Sequence, residues 1–414
     1  MAHHPLSFRK YALESGMRLY WQKRPSMPWV YALVTVRAGH RYAVPGKTNV
    51  AHLLEHLMFT GTEDRDYNHR DFTQFKRWCR EHGFGIVNGQ TGYDAIEFFA
   101  RAPIPGVPAM LDFLADLALR PLLNSGLDKE REIIRQERED EGGDREQELQ
   151  RRLHVAGLGD CHAATCHLWP KDAELDALTY DDVRAHHAGT FDPSNMNVVL
   201  VGGGHVGEWR ECIESSFAPV YRDFTPAPGL VPLAFDLPSE RLMVFRAGHR
   251  KHTDNLTYSW FVPPLQHHAL PFVSETLEDL TIRSLRERMR AVYSAGVDIT
   301  RTSDYTVISL STSFDGANRR RVRNATERII AGRRLIIEQA AQSIPSLLLE
   351  DQMPDYNVEQ AVEYATGFIN TGREPPAPAR IARIGGKMSP ADVADAVARL
   401  MPFDRAIVSI VENG

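Results

Sequence analysis

Four cysteines among 414 residues are too few to staple a chain of this length, so reduced, structural thiols are expected rather than a disulfide framework. Long apolar runs are also missing. No segment approaches the ~18 residues that a membrane span needs, and the stretch Met1–Lys10 lacks the apolar core of a secretory signal. A cytoplasmic protein with no membrane partner is the expectation. Excess charge of one sign is absent too: 48 basic against 54 acidic residues leave a net charge of −6. Both signs are mixed along the chain apart from the short Arg319-Arg320-Arg321 run, which gives no footing for nucleic-acid binding. No Gly-x-Gly-x-x-Gly fingerprint falls between a strand and a helix, so nothing points to a dinucleotide.

What is present is ordinary in bulk, with 43% apolar and 25% charged residues as in globular proteins. The length exceeds one core and implies two or three domains. The informative stretch is Asn49–Phe59. Ala, Leu and Met dominate it, Thr48 or Asn49 can cap its start and Gly61 can stop it, so it reads as a helix. Helical spacing puts His52, Glu55 and His56 on one side. Two imidazoles one turn apart can grip one metal ion, and the carboxylate beside them can deprotonate a water. This is His-x-x-Glu-His, the inverted zinc-peptidase motif. Val50, Ala51, Leu53, Leu54, Leu57, Met58 and Phe59 leave the helix almost no solvated face. Burying three titratable groups among them is costly unless something pairs with them, and zinc is the partner that fits.

A third ligand is found in the charged helix Asp128–Glu141. At about 100° per residue, Glu130, Glu137 and Glu141 fall on the side that carries Ile133 and Ile134, while Glu132 and Glu139 point away. The core-facing side of this helix is thus lined with carboxylates, which binding of a cation by one of them would explain. The helical arithmetic does not choose among the three. Cys161-His162-Ala-Ala-Thr-Cys166-His167 lacks a matching distal pair and reads as loop thiols and histidines.

Around these helices, Met17–Lys23, Trp29–Val36, Ile86–Thr91, Ile96–Ala100 and Met196–Val201 read as strands, and Phe72–His82 and Pro105–Ala118 as helices. The Pro-rich stretch from Phe217 to Pro238 reads as a linker. Met388-Ser-Pro-Ala-Asp392-Val393, Pro402 and the strand Ala406–Val411 repeat Leu178-Thr-Tyr-Asp-Asp182-Val183, Pro193 and Met196–Val201 at an offset of 210 residues between the two aspartates. Two copies of one α+β unit is the simplest organisation: 1–216 catalytic, 217–238 linker and 239–414 a homologous domain without the histidine motif.

The His52-x-x-Glu55-His56 motif, followed after some 80 residues by Glu130-Arg131-Glu132-Ile133-Ile134-Arg135-Gln136-Glu137, resembles the pitrilysin family of zinc peptidases, which includes insulin-degrading enzyme and the mitochondrial processing peptidase. Gly83–Thr91 with Ile96–Ala100 is similar to that family's strand pair beside the metal, and Leu178–Asp182 through Gly202 to its domain-closing helix and strand. The resemblance implies a short, two-domain member of α+β fold, each domain a mixed, mostly antiparallel sheet with helices packed on it. It implies zinc bound by His52, His56 and Glu137, Glu55 as catalytic base and Glu130 supporting the ligand shell. It assigns Asn88, Gly89, Gln90 and Thr91 to an edge on which an extended peptide lies as an added strand. Leu285–Ser294 resembles the family's C-terminal motif, in which Arg286 and Tyr293 reach the substrate; two helical turns apart, they share a face if the helix continues that far. Met289-Arg290-Ala291 stands there in place of the usual Gly-containing turn. The implied function is a zinc endopeptidase, oligopeptidase or peptide-processing protease acting in a chamber completed by a homodimer or by a heterodimer with a related chain. The alternatives are a catalytically silent subunit of a heterodimeric peptidase, and a small-molecule metal hydrolase or non-enzymatic zinc protein.

Overall fold

A computed structural model describes residues 7–62, 72–217, 233–236, 238–246, 253–264, 269–350, 357–377 and 386–412. It divides into two units, each built on one sheet. In the first unit β1 (Arg9–Ala12), β2 (Arg18–Lys23), β3 (Trp29–Val36), β4 (Gly85–Thr91), β5 (Ile96–Pro103) and β6 (Met196–Gly202) lie in the order β1-β2-β6-β3-β5-β4. Only β2 and β6 run parallel. The central strands β3 and β6 are apolar on both faces and buried along nearly their whole length, so both faces must be covered.

The two covers differ. On one face sit the helices Val50–Met58, Val107–Leu119 and Tyr180–Thr190, whose Leu53, Leu57, Leu111, Leu114 and Val183 enter the main core with Val34, Val36 and Phe98. On the other, Tyr20, Tyr31, Leu33, Val199 and Val201 meet Val358, Val362, Ala365 and Ile369, all from the helix Val358–Ile369. This helix lies in the second half of the sequence yet belongs to the first unit, which comprises Met1–Asp140, Cys166–Leu230 and Pro354–Ala377. Conversely the helix Gly143–Leu158 packs on strands of the second unit. The units therefore differ from the contiguous division at 217–238 by these two exchanged segments. The physical reason is that each helix carries an apolar stripe that the other sheet's open face receives. Most of the expected linker lies outside the described residues.

The second unit contains β7 (Leu242–Arg246), β8 (Asp254–Val262), β9 (Ser294–Arg301), β10 (Thr306–Phe314) and β11 (Ile407–Glu412), in the order β7-β11-β8-β10-β9 with only β7 and β11 parallel. Leaving out β1, the first sheet has the same order and directions. The repeat extends to capping chemistry. Thr179 Oγ1 accepts from the Asp182 N–H at 3.2 Å while the Asp182 carboxylate accepts from the Thr179 N–H at 2.9 Å. Ser389 and Asp392 make the same pair of bonds at 3.3 and 2.7 Å before the helix Pro390–Leu400. Each box satisfies two otherwise orphaned donors, and each sits just before the strand that closes its sheet.

Two local expectations change. Asn49 makes no side-chain cap; it is left-handed at φ 69° and only its carbonyl enters the helix, accepting from Leu53 N–H at 3.0 Å. Arg286 and Tyr293 share no helical face. The helix Leu270–Thr281 widens into a π-wound segment, Ile282–Arg288, and ends. Arg290 turns at φ 49°, and the Tyr293 N–H already bonds Ser313 at the start of β9. Arg290 supplies the left-handed turn where a glycine was expected.

Candidate metal centre

The helix Val50–Met58 buries Leu53, Leu54, Leu57 and Met58 completely, which fixes its rotation and turns His52 and His56 toward the acidic helix Leu127–Asp140. Three arginines anchor that helix. Arg131 donates to the Asp176 and Leu178 carbonyls, Arg135 pairs with Asp176, and Arg138 donates to the Pro170 carbonyl and to Asp172. Arg131, Arg135 and Arg138 fall at i, i+4 and i+7, one face of the helix. The Leu127 N–H also bonds the Tyr180 hydroxyl at 3.1 Å. With one side stitched to the segment 170–180, the adjoining side with Glu130 and Glu137, about 115° round the axis, faces the histidines.

The resulting group is compact. His52 Nε2 and His56 Nε2 are 3.1 Å apart, and Glu137 Oε2 lies 3.6 and 3.5 Å from them. A circle through three atoms at these separations has a radius of about 2.0 Å, against zinc–imidazole bonds of roughly 2.0–2.1 Å. Among the described residues His52, His56 and Glu137 are the three that could hold a metal ion. Glu141, left open by the helical arithmetic, is exposed beyond the helix end. The Glu137 side chain is 41% exposed while both imidazoles are mostly buried, so the triangle is walled on the protein side and open on the other, as a catalytic rather than structural site requires.

Glu130, nearly buried, accepts from His56 Nδ1–H at 3.2 Å. This fixes the ring so that Nε2 is presented to the triangle, the usual arrangement of a ligating histidine. The His52 ring is held edge-on by His56 at 4.6 Å and by Trp169 at 5.3 Å between centroids. Burial, then the His56 and His40 rings, keep His52 well below the ordinary imidazole value, so it is a neutral donor. For His56 burial acts downward, but the hydrogen bonds to Glu130 and Glu137 outweigh it and lift the ring to about 10. Cation binding here would be coupled to loss of that proton.

Glu55 is 7% exposed, and burial, opposed by His56 and reinforced by Glu137, pushes its carboxyl up to about 7. Thr91 Oγ1–H reaches its Oε2 at 3.5 Å. A Cβ on Gly89 would stand 2.5 Å from its Oε1, so only glycine lets β4 approach this closely. Gly89 and Thr91 thus face the metal helix, whereas Asn88 and Gln90 point to the opposite side of the sheet. All four lie on β4, the terminal strand of the sheet. Arg286 is exposed and Tyr293 is 58% exposed on the second unit. Trp169 and the anchoring arginines were not singled out from the sequence; the i, i+4, i+7 spacing of Arg131, Arg135 and Arg138 was the available signal.

Paired imidazoles, a carboxylate at metal-ligand distance and a buried carboxylate beside an edge strand define a metallopeptidase-like protein. The chain belongs to peptidase family M16: residues 18–167 match Insulinase (Peptidase family M16) and residues 177–343 match the Peptidase M16 inactive domain. Peptidases of this family are zinc-dependent. The mitochondrial-processing peptidase subunit beta of Blastocladiella emersonii is 24% identical over 48% of this chain and 41% of its own length. A ubiquinol-cytochrome-c reductase complex core protein I of Euglena gracilis is 27% identical over 68% of this chain and 55% of its own. An uncharacterized zinc protease of Streptomyces coelicolor is 26% identical over 47% of this chain and 41% of its own. The matches thus span about half or less of these relatives. Among solved structures, a Helicobacter pylori protease superposes with a TM-score of 0.81 at 14% identity, covering 99% of this chain and all of that one. Pitrilysin superposes at 0.75 and 16% identity, covering 98% of this chain and 45% of that one. At such identities these two establish the fold.

Proposed function

We propose that this chain is a zinc-dependent endopeptidase that hydrolyses extended peptides, as an oligopeptidase or a peptide-processing protease. The carrying observation is the His52–His56–Glu137 triangle with Glu55 wedged between it and the terminal strand. His52, His56 and Glu137 would hold the ion, which when bound supplies an acidified water and polarises the scissile carbonyl. Glu55 takes a proton from the attacking water and delivers it to the leaving amine, a transfer suited to a carboxyl at about 7. Thr91 steadies the Glu55 oxygen, and Glu130 keeps His56 in its ligating tautomer. The peptide lies along Asn88, Gly89, Gln90 and Thr91 as an added strand, so backbone hydrogen bonds supply affinity with little dependence on sequence.

Arg286 and Tyr293 are assigned a substrate-contacting role by resemblance, and assembly into a homodimer or a heterodimer with a related chain is part of the same reading. Two relatives are by name subunits of larger assemblies. This favours a second reading, a silent subunit of a heterodimeric peptidase, against which the complete donor set speaks. The deciding experiment measures zinc content and hydrolysis of a quenched peptide library by the purified chain, with and without chelator. About one zinc per chain with chelator-sensitive cleavage supports the enzyme. Cleavage that appears only with a related chain and survives Glu55→Gln in this one supports the silent subunit. Neither zinc nor cleavage removes both.

A further inference from the structure

The terminal strand carries a second polar device, on the face away from the metal. Thr35 on β3 pairs with Glu97 on β5, which pairs in turn with Gln90 on β4, so the three side chains form a row across one face of the sheet. Glu97 is only 4% exposed. Its Oε1 accepts from Asn370 Nδ2 at 2.7 Å, its Oε2 accepts from Gln90 Nε2, and Asn370 Oδ1 accepts from the Thr35 hydroxyl at 2.6 Å. Asn370 caps the end of the helix Val358–Ile369 that covers this face. A buried carboxylate held by two neutral amides, with no basic side chain paired to it among the described residues, is a costly arrangement in a sheet. Burial raises its pKa accordingly.

What the row offers in return follows from β4. Its pairing with β5 is interrupted between Gly85 and Asn88, where Ile86 sits at φ 52°. Near the metal helix the strand is therefore held by the short ladder Asn88–Thr91, in which Gly89 has no side chain to pack. Gln90 lies between the two residues that touch Glu55, and its own side chain is tied down behind the sheet. We propose that Glu97 is a positioning residue: through Gln90 it fixes the terminal strand against the metal helix, setting the seat on which a peptide pairs.

The inference rests on the peptidase reading for its functional consequence, but not for its physical one. Hydrogen bonds to charged groups contribute enough that losing one corresponds to about 10- to 100-fold in a local opening equilibrium. Hydrogen exchange of those amides of residues 88–91 that bond β5 is therefore expected to accelerate by about that factor in Glu97→Ala and in Gln90→Ala, with zinc content unchanged. Glu97→Gln should exchange nearly as slowly as wild type, because the exposed Gln90 amide can flip to accept from it. For peptide cleavage, KM should rise about tenfold in both alanine variants while kcat changes less than threefold, and Glu97→Gln should restore KM. Unchanged exchange in Glu97→Ala and Gln90→Ala overturns the proposal, as does an equal fall of kcat in all three variants with loss of zinc. Faster exchange in a chain whose wild type cleaves no peptide leaves the anchor in place and removes the peptidase reading instead.

Discussion

Replacing Glu55 by Gln separates what this carboxylate costs the fold from what it gives the chemistry. In the folded, metal-free chain burial moves its pKa from 4.5 to about 7, and at about 1.36 kcal/mol per pH unit ionised Glu55 destabilises the fold by about 3 kcal/mol. Between pH 4.5 and 7 the folded state binds more protons than the unfolded one, so stability falls as pH rises through that window. Gln carries no charge and removes the penalty. Metal-free Glu55→Gln is therefore expected to be about 3 kcal/mol more stable than wild type at pH 8, with the difference vanishing below pH 4.5. For a unit of about 200 residues that corresponds to a melting transition higher by about 6–12 °C, which calorimetry of chelator-treated protein at pH 4–8 will resolve. With zinc restored the same variant should keep its metal and lose about 10²–10⁴-fold in peptide hydrolysis, the usual contribution of a general base. A variant that melts at or below wild type at pH 8, or whose advantage is the same at pH 4.5, refutes the burial argument. Wild-type turnover refutes the assignment of the base.

Glu137→Gln should abolish stoichiometric zinc binding, while Glu141→Gln keeps it; the reverse result, read by metal analysis, moves the third ligand. Glu130→Gln should leave the triangle intact but weaken zinc affinity about 10–100-fold, the typical cost of losing the partner that orients a ligating histidine, as measured by competition with a chromogenic chelator. Gly89→Ala places a methyl 2.5 Å from Glu55 Oε1 and should cut kcat severely with little change in melting temperature; unimpaired turnover would show that β4 can withdraw. Residues 1–216 expressed alone should aggregate, because Val358, Val362 and Ile369 no longer cover the outer face, a loss of about 5–9 kcal/mol of apolar burial. A soluble monomer by light scattering contradicts that.

Much of this was legible because it is local. Strand β3 falls at Trp29–Val36 as its apolar run indicates, and the metal helix and the acidic helix lie within a residue or two of their sequence bounds. Both are set by periodicity over a few turns. The ligand acid needed more, since helical geometry placed three glutamates on one side and the choice of Glu137 came from the family resemblance; the fold puts Glu137 at ligand distance and Glu130 behind His56, on its other ring nitrogen. The exchanged segments were not legible. Nothing in the apolar stripe of Val358–Ile369 says which of two similar sheets it covers, since both present the same kind of face. The failed helix before Tyr293 has a similar cause: the spacing of Arg286 and Tyr293 assumes 3.6 residues per turn, and the segment Ile282–Arg288 is π-wound.

The two units let the fold be held constant while the chemistry is compared. Between β3 and β4 the first unit inserts the helix with His52, Glu55 and His56; between β8 and β9 the second inserts Leu270–Thr281 and its π-wound end, with no histidine in either segment. Strand order, strand direction and even the capping boxes at Thr179/Asp182 and Ser389/Asp392 are shared. The sheet therefore does not create the site. It supplies a terminal strand and a helix crossing it, and three further conditions convert that frame into a group that could hold a metal ion. The histidines need a facing acid, which the arginine-anchored helix brings. The buried carboxylate needs room, which Gly89 leaves. The edge needs a fixed position, which the Thr35–Asn370–Glu97–Gln90 row provides. Had the fold alone been sufficient, β9, the terminal strand of the second sheet, would carry an equivalent cluster. Among the described residues only the first unit's triangle could hold a metal ion, so function in this chain follows from side chains placed on one of two equal frames.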